Sequence, residues 1–170
     1  MKFNYYCFKA IYVHEMNRFL RTVGQSILSP VISTSLYFVV FGSVIGGYIQ
    51  KIDGVSYGSY IVPGLLMLTL LTQSISNTSF GIFFPKFNGT INEILAAPIS
   101  TLETVLAFVG AGATKTLIVG TVIYITATFF AEVTVEYPML MIFLLVLVSF
   151  TFALFGFLIG VVSKTSNKCL

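Results

Sequence analysis

The sequence predicts an all-α membrane protein: an N-terminal amphipathic helix lying at the membrane interface, four membrane-spanning helices, and a short helix between the second and third of them. Three observations carry that prediction. Hydrophobic residues make up 56% of the chain and charged ones 9%, whereas a soluble domain carries about 25% charge. With a mean hydropathy of +0.96, such a chain cannot cover a water-facing surface. Four apolar runs, at about 27–48, 57–80, 104–131 and 138–162, each reach the ~20 residues a helix needs to cross ~30 Å of hydrocarbon. Lysine and arginine, finally, fall almost entirely on one side of those runs.

With the N-terminus inside, the cytoplasmic segments hold Lys2, Lys9, Arg18, Arg21, Lys86, Lys164 and Lys168, and the outer loops hold only Lys51, with Asp53, Glu132 and Glu136. The positive-inside bias therefore predicts N-in and C-in. Residues 1–26 become a cytoplasmic amphipathic segment, 81–103 a cytoplasmic loop, and 1–170 a single membrane domain. Nothing near the start reads as a cleavable leader: the apolar part of residues 3–8 is too short, and Lys9, Glu15, Arg18 and Arg21 follow it. The acceptor-like triplets Asn88-Gly89-Thr90 and Asn77-Thr78-Ser79 face the cytosol or lie inside a span, so neither is expected to be glycosylated.

The same composition excludes several classes. A net charge of +3 without a basic cluster among aromatics gives no nucleic-acid footprint. Cys7 and Cys169 lie near opposite ends with no metal spacing and are expected to be free thiols on the reducing side. His14 is the only histidine, so no metal site is expected. No Asp, Glu or His falls inside a predicted span, which removes a proton relay.

In residues 8–23, FKAIYVHEMNRFLRTV, the residues Phe8, Tyr12, Met16, Phe19 and Val23 share one helical stripe with Leu20 beside it, while His14, Asn17, Arg18 and Arg21 share the other side. That pattern predicts an interfacial helix with its apolar face in lipid, a merely positively charged topogenic leader being the alternative. Ile11 and Glu15 break the pattern. In the first span Pro30 should kink or break the helix near its inner start, and Pro63-Gly64 should do so near the outer end of the second.

Thr69, Thr72, Gln73, Ser76 and Asn77 put polar side chains on one face of the second span. Lipid-facing amides are costly, so this face should look into protein or a wet pathway, either as helix-pairing hydrogen bonds or as a substrate path. The steps Gly42/Gly46 and Gly156/Gly160 would let backbones approach closely.

Between spans two and three, KFNGTINEILAAPIS (86–100) is polar in an otherwise apolar chain. Thr90-Ile91-Asn92-Glu93 and Ser100-Thr101-Leu102-Glu103 both fit a capping box, and Pro98 stops the first helix. Ile91, Ile94 and Leu95 recur at helical spacing. A short helix of this kind can lay its apolar face in the groove of a soluble partner; resting on lipid is the alternative. In the third span, Lys115 within VGAGATKT (109–116) imitates a phosphate loop, but Val109 and Thr114 stand where glycines belong. The expectation is an apolar helix whose lysine snorkels to the headgroups, a buried functional charge being the alternative. Energy for uphill movement would then come from another subunit.

Taken in order, the basic N-terminal helix, LSPVISTSLYFVVFGSVIGG (28–47), YGSYIVPGLLMLTLL (57–71) and FNGTINEILAAPISTLETVLAF (87–108) resemble the ABC-2 type permeases, the membrane subunits of ATP-driven exporters of drugs, polysaccharides and lipids. The similarity runs from about residue 10 to 165. It implies an inner-membrane permease subunit that is not itself an enzyme. A coupling helix at residues 88–98, through Gly89, Ile91, Glu93, Ile94, Leu95 and Pro98, would dock in a cytoplasmic ABC ATPase. The N-terminal helix, with Glu15, Arg18 and Arg21, would touch the same partner. The chain itself would bind no cofactor, ATP-Mg would sit on the partner, and the permease would act as a homodimer in the bilayer. The family pattern has six spans and four are present here, so this chain alone is not expected to transport. Outside the resemblance, the residues also fit a small oligomeric four-span channel or a non-transporting membrane anchor or assembly protein.

Overall fold

A computed structural model describes residues 5–41, 51–52, 55–97, 99–130 and 137–163. Helices dominate: α1 (Tyr5–Arg21), α2 (Val23–Val39), α3 (Tyr57–Phe87), α4 (Ile91–Ala96), α5 (Thr101–Phe130) and α6 (Pro138–Val162). Two short strands, β1 (Lys51–Ile52) and β2 (Val55–Ser56), pair antiparallel ahead of α3. Among the described residues, three helices are long and apolar enough to cross a membrane: α3, α5 and α6. α2 is apolar but 17 residues long. The rest of the predicted first span, with Gly42 and Gly46, lies outside the described residues, as do Lys2, Asp53, Pro98, Glu132, Glu136, Lys164, Lys168 and Cys169.

α6 occupies the predicted fourth run, and α5 starts three residues before the predicted third. α3 differs most, running on to Phe87, so the connection to α5 is 88–100 rather than 81–103. Proline does not break either helix that carries it: α2 continues through Pro30, and α3 through Pro63 and Pro85. The Thr34 hydroxyl donates to the Pro30 carbonyl at 2.7 Å, and similar bonds to the preceding turn satisfy Thr69, Thr116, Thr121 and Thr151.

α5 is the central helix, packed by α1, α2, α3 and α6. It buries small residues on several faces, among them Ala107, Ala111, Gly112, Ala113 and Gly120. Lipid offers no hydrophobic gain for helix pairing, so close approach and hydrogen bonds must supply it. The stretch that imitates a phosphate loop is therefore a packing surface, with Gly112 opposite Thr78 of α3; beyond it Gly120 lies opposite Leu70.

α6 divides by residue size. Ser149, Ala153, Gly156 and Gly160 are buried, while Phe143, Phe155, Leu158 and Ile159 are exposed on the outside. The Gly156/Gly160 step presses on the α3 backbone at Ile75 and Ser79, and the Ser74 hydroxyl donates to the Ser149 carbonyl at 2.7 Å. At the end of α6 the Lys86 ammonium donates to the carbonyls of Gly160 at 3.2 Å and Ser163 at 3.2 Å, capping the helix where its dipole is negative.

A Cβ on Gly156 would lie 2.5 Å from the Ile75 carbonyl oxygen and 2.9 Å from its Cα. Gly156→Ala should therefore destabilise the bundle by about 1–3 kcal/mol, as overpacking does. Gly110→Ala, where nothing lies within 4 Å, should not. Thermal unfolding in detergent checks both.

Candidate functional site

Two residues that break the apolar pattern of their own helices meet in the bundle. Glu15 of α1 is 2% exposed and Lys115 of α5 is 3% exposed, and the Lys115 Nζ donates to the Glu15 Oε2 at 2.8 Å. Arg18, one turn on, reaches the same oxygen at 2.9 Å. The backbone of α3 closes in at Gly81, where a Cβ would stand 3.4 Å from that oxygen. Nearby, the Tyr12 hydroxyl donates to the Thr114 Oγ1 at 3.0 Å, and Thr114 donates onward to the Gly110 carbonyl at 2.8 Å. Glu15 Oε1 is buried and has no hydrogen-bond partner.

Two sequence expectations change here. Lys115 does not snorkel: it ends on a carboxylate inside the protein, because α1 brings one within reach. Nor does the apolar stripe of α1 face lipid alone. Phe19 is buried against Val119 and Ile123 of α5, and Leu20, beside the stripe, is 60% exposed. The packed face is centred on Glu15 and Phe19, so Glu15, which looked like an interruption, is at its middle. Arg21 is exposed at the end of α1.

Beside the ion pair lies a cavity of about 830 Å³ between α1, α2, α3 and α5. Arg18 and Lys115 line it, with Gln73 and Asn77 of α3 and with Gln25, Ser26 and Ser29 at the start of α2. Phe19, Pro30, Phe80 and Phe84 form its apolar wall. The Asn77 Nδ2 is buried without a partner. The polar face predicted on this helix divides. The amides Gln73 and Asn77 line the cavity, whereas Thr72 and Ser76 are exposed and Thr69 is half-buried. Thr72 donates to the Leu68 carbonyl at 3.0 Å. Hydroxyls tolerate an outward position because the helix's own carbonyls satisfy them; amides do not.

At the far end of α3, Gly89 takes φ +78°, the left-handed conformation glycine adopts without strain. The chain then enters α4. Glu93 and Leu95 are exposed, Leu95 at 74%, and Ile91 and Ile94 are half-buried. The capping box expected at Thr90 does not form: Thr90 already has helical dihedrals, φ −63° and ψ −16°, and makes no side-chain cap. A capping hydroxyl needs an extended residue. The second box forms in half, with the Ser100 N–H donating to the Glu103 carboxylate at 2.9 Å.

Sequence reasoning noted Glu15 and Lys115 but did not join them. The available signal was their complementarity: one acid on an apolar stripe and one base in an apolar run. It also missed Lys86 as the cap of α6, for which local sequence carries no sign.

A family profile described as ABC-2 type transporter matches residues 6–168. The chain is 37% identical over 157 residues to the protein named inner membrane transport permease YadH in Escherichia coli (strain K12), covering 92% of this chain and 61% of that protein. The protein of that name in Shigella flexneri aligns with the same figures. Nodulation protein J of Azorhizobium caulinodans is 22% identical over 121 residues, 71% of this chain and 48% of that protein. The chain thus spans 61% of the length of the permeases it matches. No solved structure matches it.

Removing one partner from the ion pair leaves a buried charge. Glu15→Met strands Lys115 and should cost about 3–5 kcal/mol. Lys115→Met should cost less, because Arg18 still holds the carboxylate. The double change should cost less than the sum of the two. Unfolding midpoints of the three variants in detergent, compared as a cycle, check the ordering.

Proposed function

This chain belongs to the ABC-2 type transporter family, and we propose that it forms the membrane pathway of an ATP-driven exporter and couples to a separate ATPase subunit. It is a multi-pass protein of the inner membrane. In the proposed arrangement α2 begins the first of four spans, both ends of the chain face the cytosol, and α1 lies at the cytoplasmic interface. α4 is the coupling helix. The observation that carries the reading is the exposed, apolar Leu95 on a short helix held between the ends of the two longest helices, α3 and α5.

The proposed cycle is mechanical. ATP-Mg, bound on the partner, draws two ATPases together, and α4 moves with the cleft that holds it. Residues 88–90 pass that movement to α3, and 97–100 pass it to α5. α1 follows α5 because Glu15 is bound to Lys115. The helices then tilt between inward and outward access. A homodimer encloses the pathway, and the chain itself hydrolyses nothing. The relatives named as transport permeases support this reading, as does the one-sided distribution of lysine and arginine.

Ile94→Asp/Leu95→Asp places two charges in the proposed contact. Co-purification of the ATPase subunit with the full-length permease should fall by at least about tenfold, the loss expected when interface anchors are removed, while the yield of folded membrane protein holds. Unchanged co-purification would remove α4 from the docking role.

A further inference from the structure

We propose that Lys86 is a positioning residue of the transport cycle: its ammonium ties the end of α6 to the end of α3, so that movement entering through α4 reaches α6 directly. This inference rests on the reading of α4 as the coupling helix and adds to it the route to α6.

The first argument is geometry. The last carbonyls of a helix have no partner within it. In α6 the Ile159 carbonyl accepts from the Ser163 N–H at 2.9 Å, and the Gly160 carbonyl accepts from the Ser163 hydroxyl at 2.9 Å. The Lys86 ammonium donates to the carbonyls of Gly160, Val161 and Ser163. An ammonium carries three N–H groups, so these three acceptors use them all. A lysine at the end of a span ordinarily snorkels toward head groups and water; this one turns to a neighbouring helix. The second argument is that side chains do not hold the last turn of α6. Leu158, Ile159, Val161 and Val162 are exposed, Val162 at 76%, while Gly160 is buried. The Gly156 and Gly160 contacts set the α6 backbone against that of α3 at Ile75 and Ser79. Such a seam resists separation more than sliding, because no large side chain interlocks across it. The directional bonds from Lys86 fix its height.

The third argument is position along the chain. Lys86 precedes the last residue of α3, and only residues 88–90 separate α3 from α4. From α4 the chain reaches the same end of α6 only by running out along α5 and back along α6. The ammonium therefore joins the point where α4 pulls on α3 to the end of α6 that is farthest from α4 in the chain. Glu15 and Lys115 do for α1 and α5 what Lys86 does for α6 and α3. Each of the two helices connected to α4 thus has a neighbour bound to it by a charged side chain.

The test uses the full-length permease with its ATPase subunit in lipid nanodiscs, its native cysteines replaced by serine. Spin-label distances are measured without nucleotide and after trapping with ATP and vanadate. One pair, Phe84→Cys/Val162→Cys, spans the ends of α3 and α6; a second, Leu106→Cys/Val162→Cys, spans α5 and the end of α6. All three positions are exposed. With Lys86 present, the first distance should stay fixed while the second changes with nucleotide. Lys86→Met should make the first distance depend on nucleotide and remove most of the change in the second. Lys86→Arg, which keeps a cation and its donors, should restore both. A purely structural cap would lower the unfolding temperature of Lys86→Met and leave the nucleotide dependence as it was. Should Lys86→Met fold poorly, Lys86→Gln, whose uncharged amide still donates, should show the same change in part. An identical nucleotide response with and without the ammonium would overturn the proposal and leave the reading of α4 intact. A response that survives Ile94→Asp/Leu95→Asp would instead overturn the reading of α4, and this inference with it.

Discussion

The contact between Glu15 and Lys115 constrains more of this molecule than its size suggests. A charge buried alone in an apolar bundle is costly enough that it must be paired or must leave. Neither residue can leave without turning its helix: Glu15 is at the middle of the packed face of α1, and Lys115 is inside α5 among Ala113, Thr116 and Val119. The pair therefore sets which face of α1 meets α5 and at what height. Apolar contacts between Phe19 and Val119 or Ile123 could slide by a turn at small cost, whereas a 2.8 Å ion pair cannot. With α1 fixed, Arg18 is held at the edge of the cavity and α3 passes beside the same carboxylate at Gly81, where a Cβ would stand at ordinary contact distance, 3.4 Å.

The other side of the bundle is organised by absence of volume. α6 meets α3 through Ser149, Ala153, Gly156 and Gly160 and turns its large residues outward. In lipid the large residues gain nothing by turning inward, so the small ones decide the interface. The two sides follow different rules for that reason. α6 is placed by how closely two backbones can approach, and α1 by where two charges can meet. α5 joins them, and its mixture of glycine, alanine and one lysine reflects both duties.

Much of this was legible in the amino-acid order, and the failures share a cause. Length and hydropathy located the apolar runs because they depend on neighbours in sequence. The limits of α6 and the start of α5 at Ser100–Glu103 followed from Pro138 and from a local acid. α3 was read as ending near Phe80 because the apolar run assigned to the second span was closed there, at about the length a bilayer needs. In the fold Pro85 forfeits one N–H inside a continuing helix, and Lys86 is used by the end of α6, 74 residues away for Gly160. Glu15 and Lys115 are 100 residues apart, beyond the reach of any periodicity. Of the five polar residues on α3, their common face could be read from spacing, but not that amides and hydroxyls would part company there. At Thr90 the expected cap failed because the Gly89 turn delivers the chain already helical.

The ion pair also bears on how a force applied at α4 would be distributed in the proposed permease. α4 has covalent connections to α3 and α5 only, through three residues on one side and four on the other. α1 is continuous in chain with α2, so if α1 were held to α5 by apolar contact alone, α5 could shift under it and the first span would stay behind. A buried pair resists such shear, because separating the charges by even one helical step leaves the buried Lys115 ammonium without its carboxylate, although Arg18 still holds Glu15. α5 would then carry α1 with it, and α1 would carry the start of α2 through the single residue Thr22 between them. The cavity, walled by all of these elements, would change shape whenever α5 moved against α3, whose own contact with α5 at Gly112 and Gly120 is tight enough to act as the pivot.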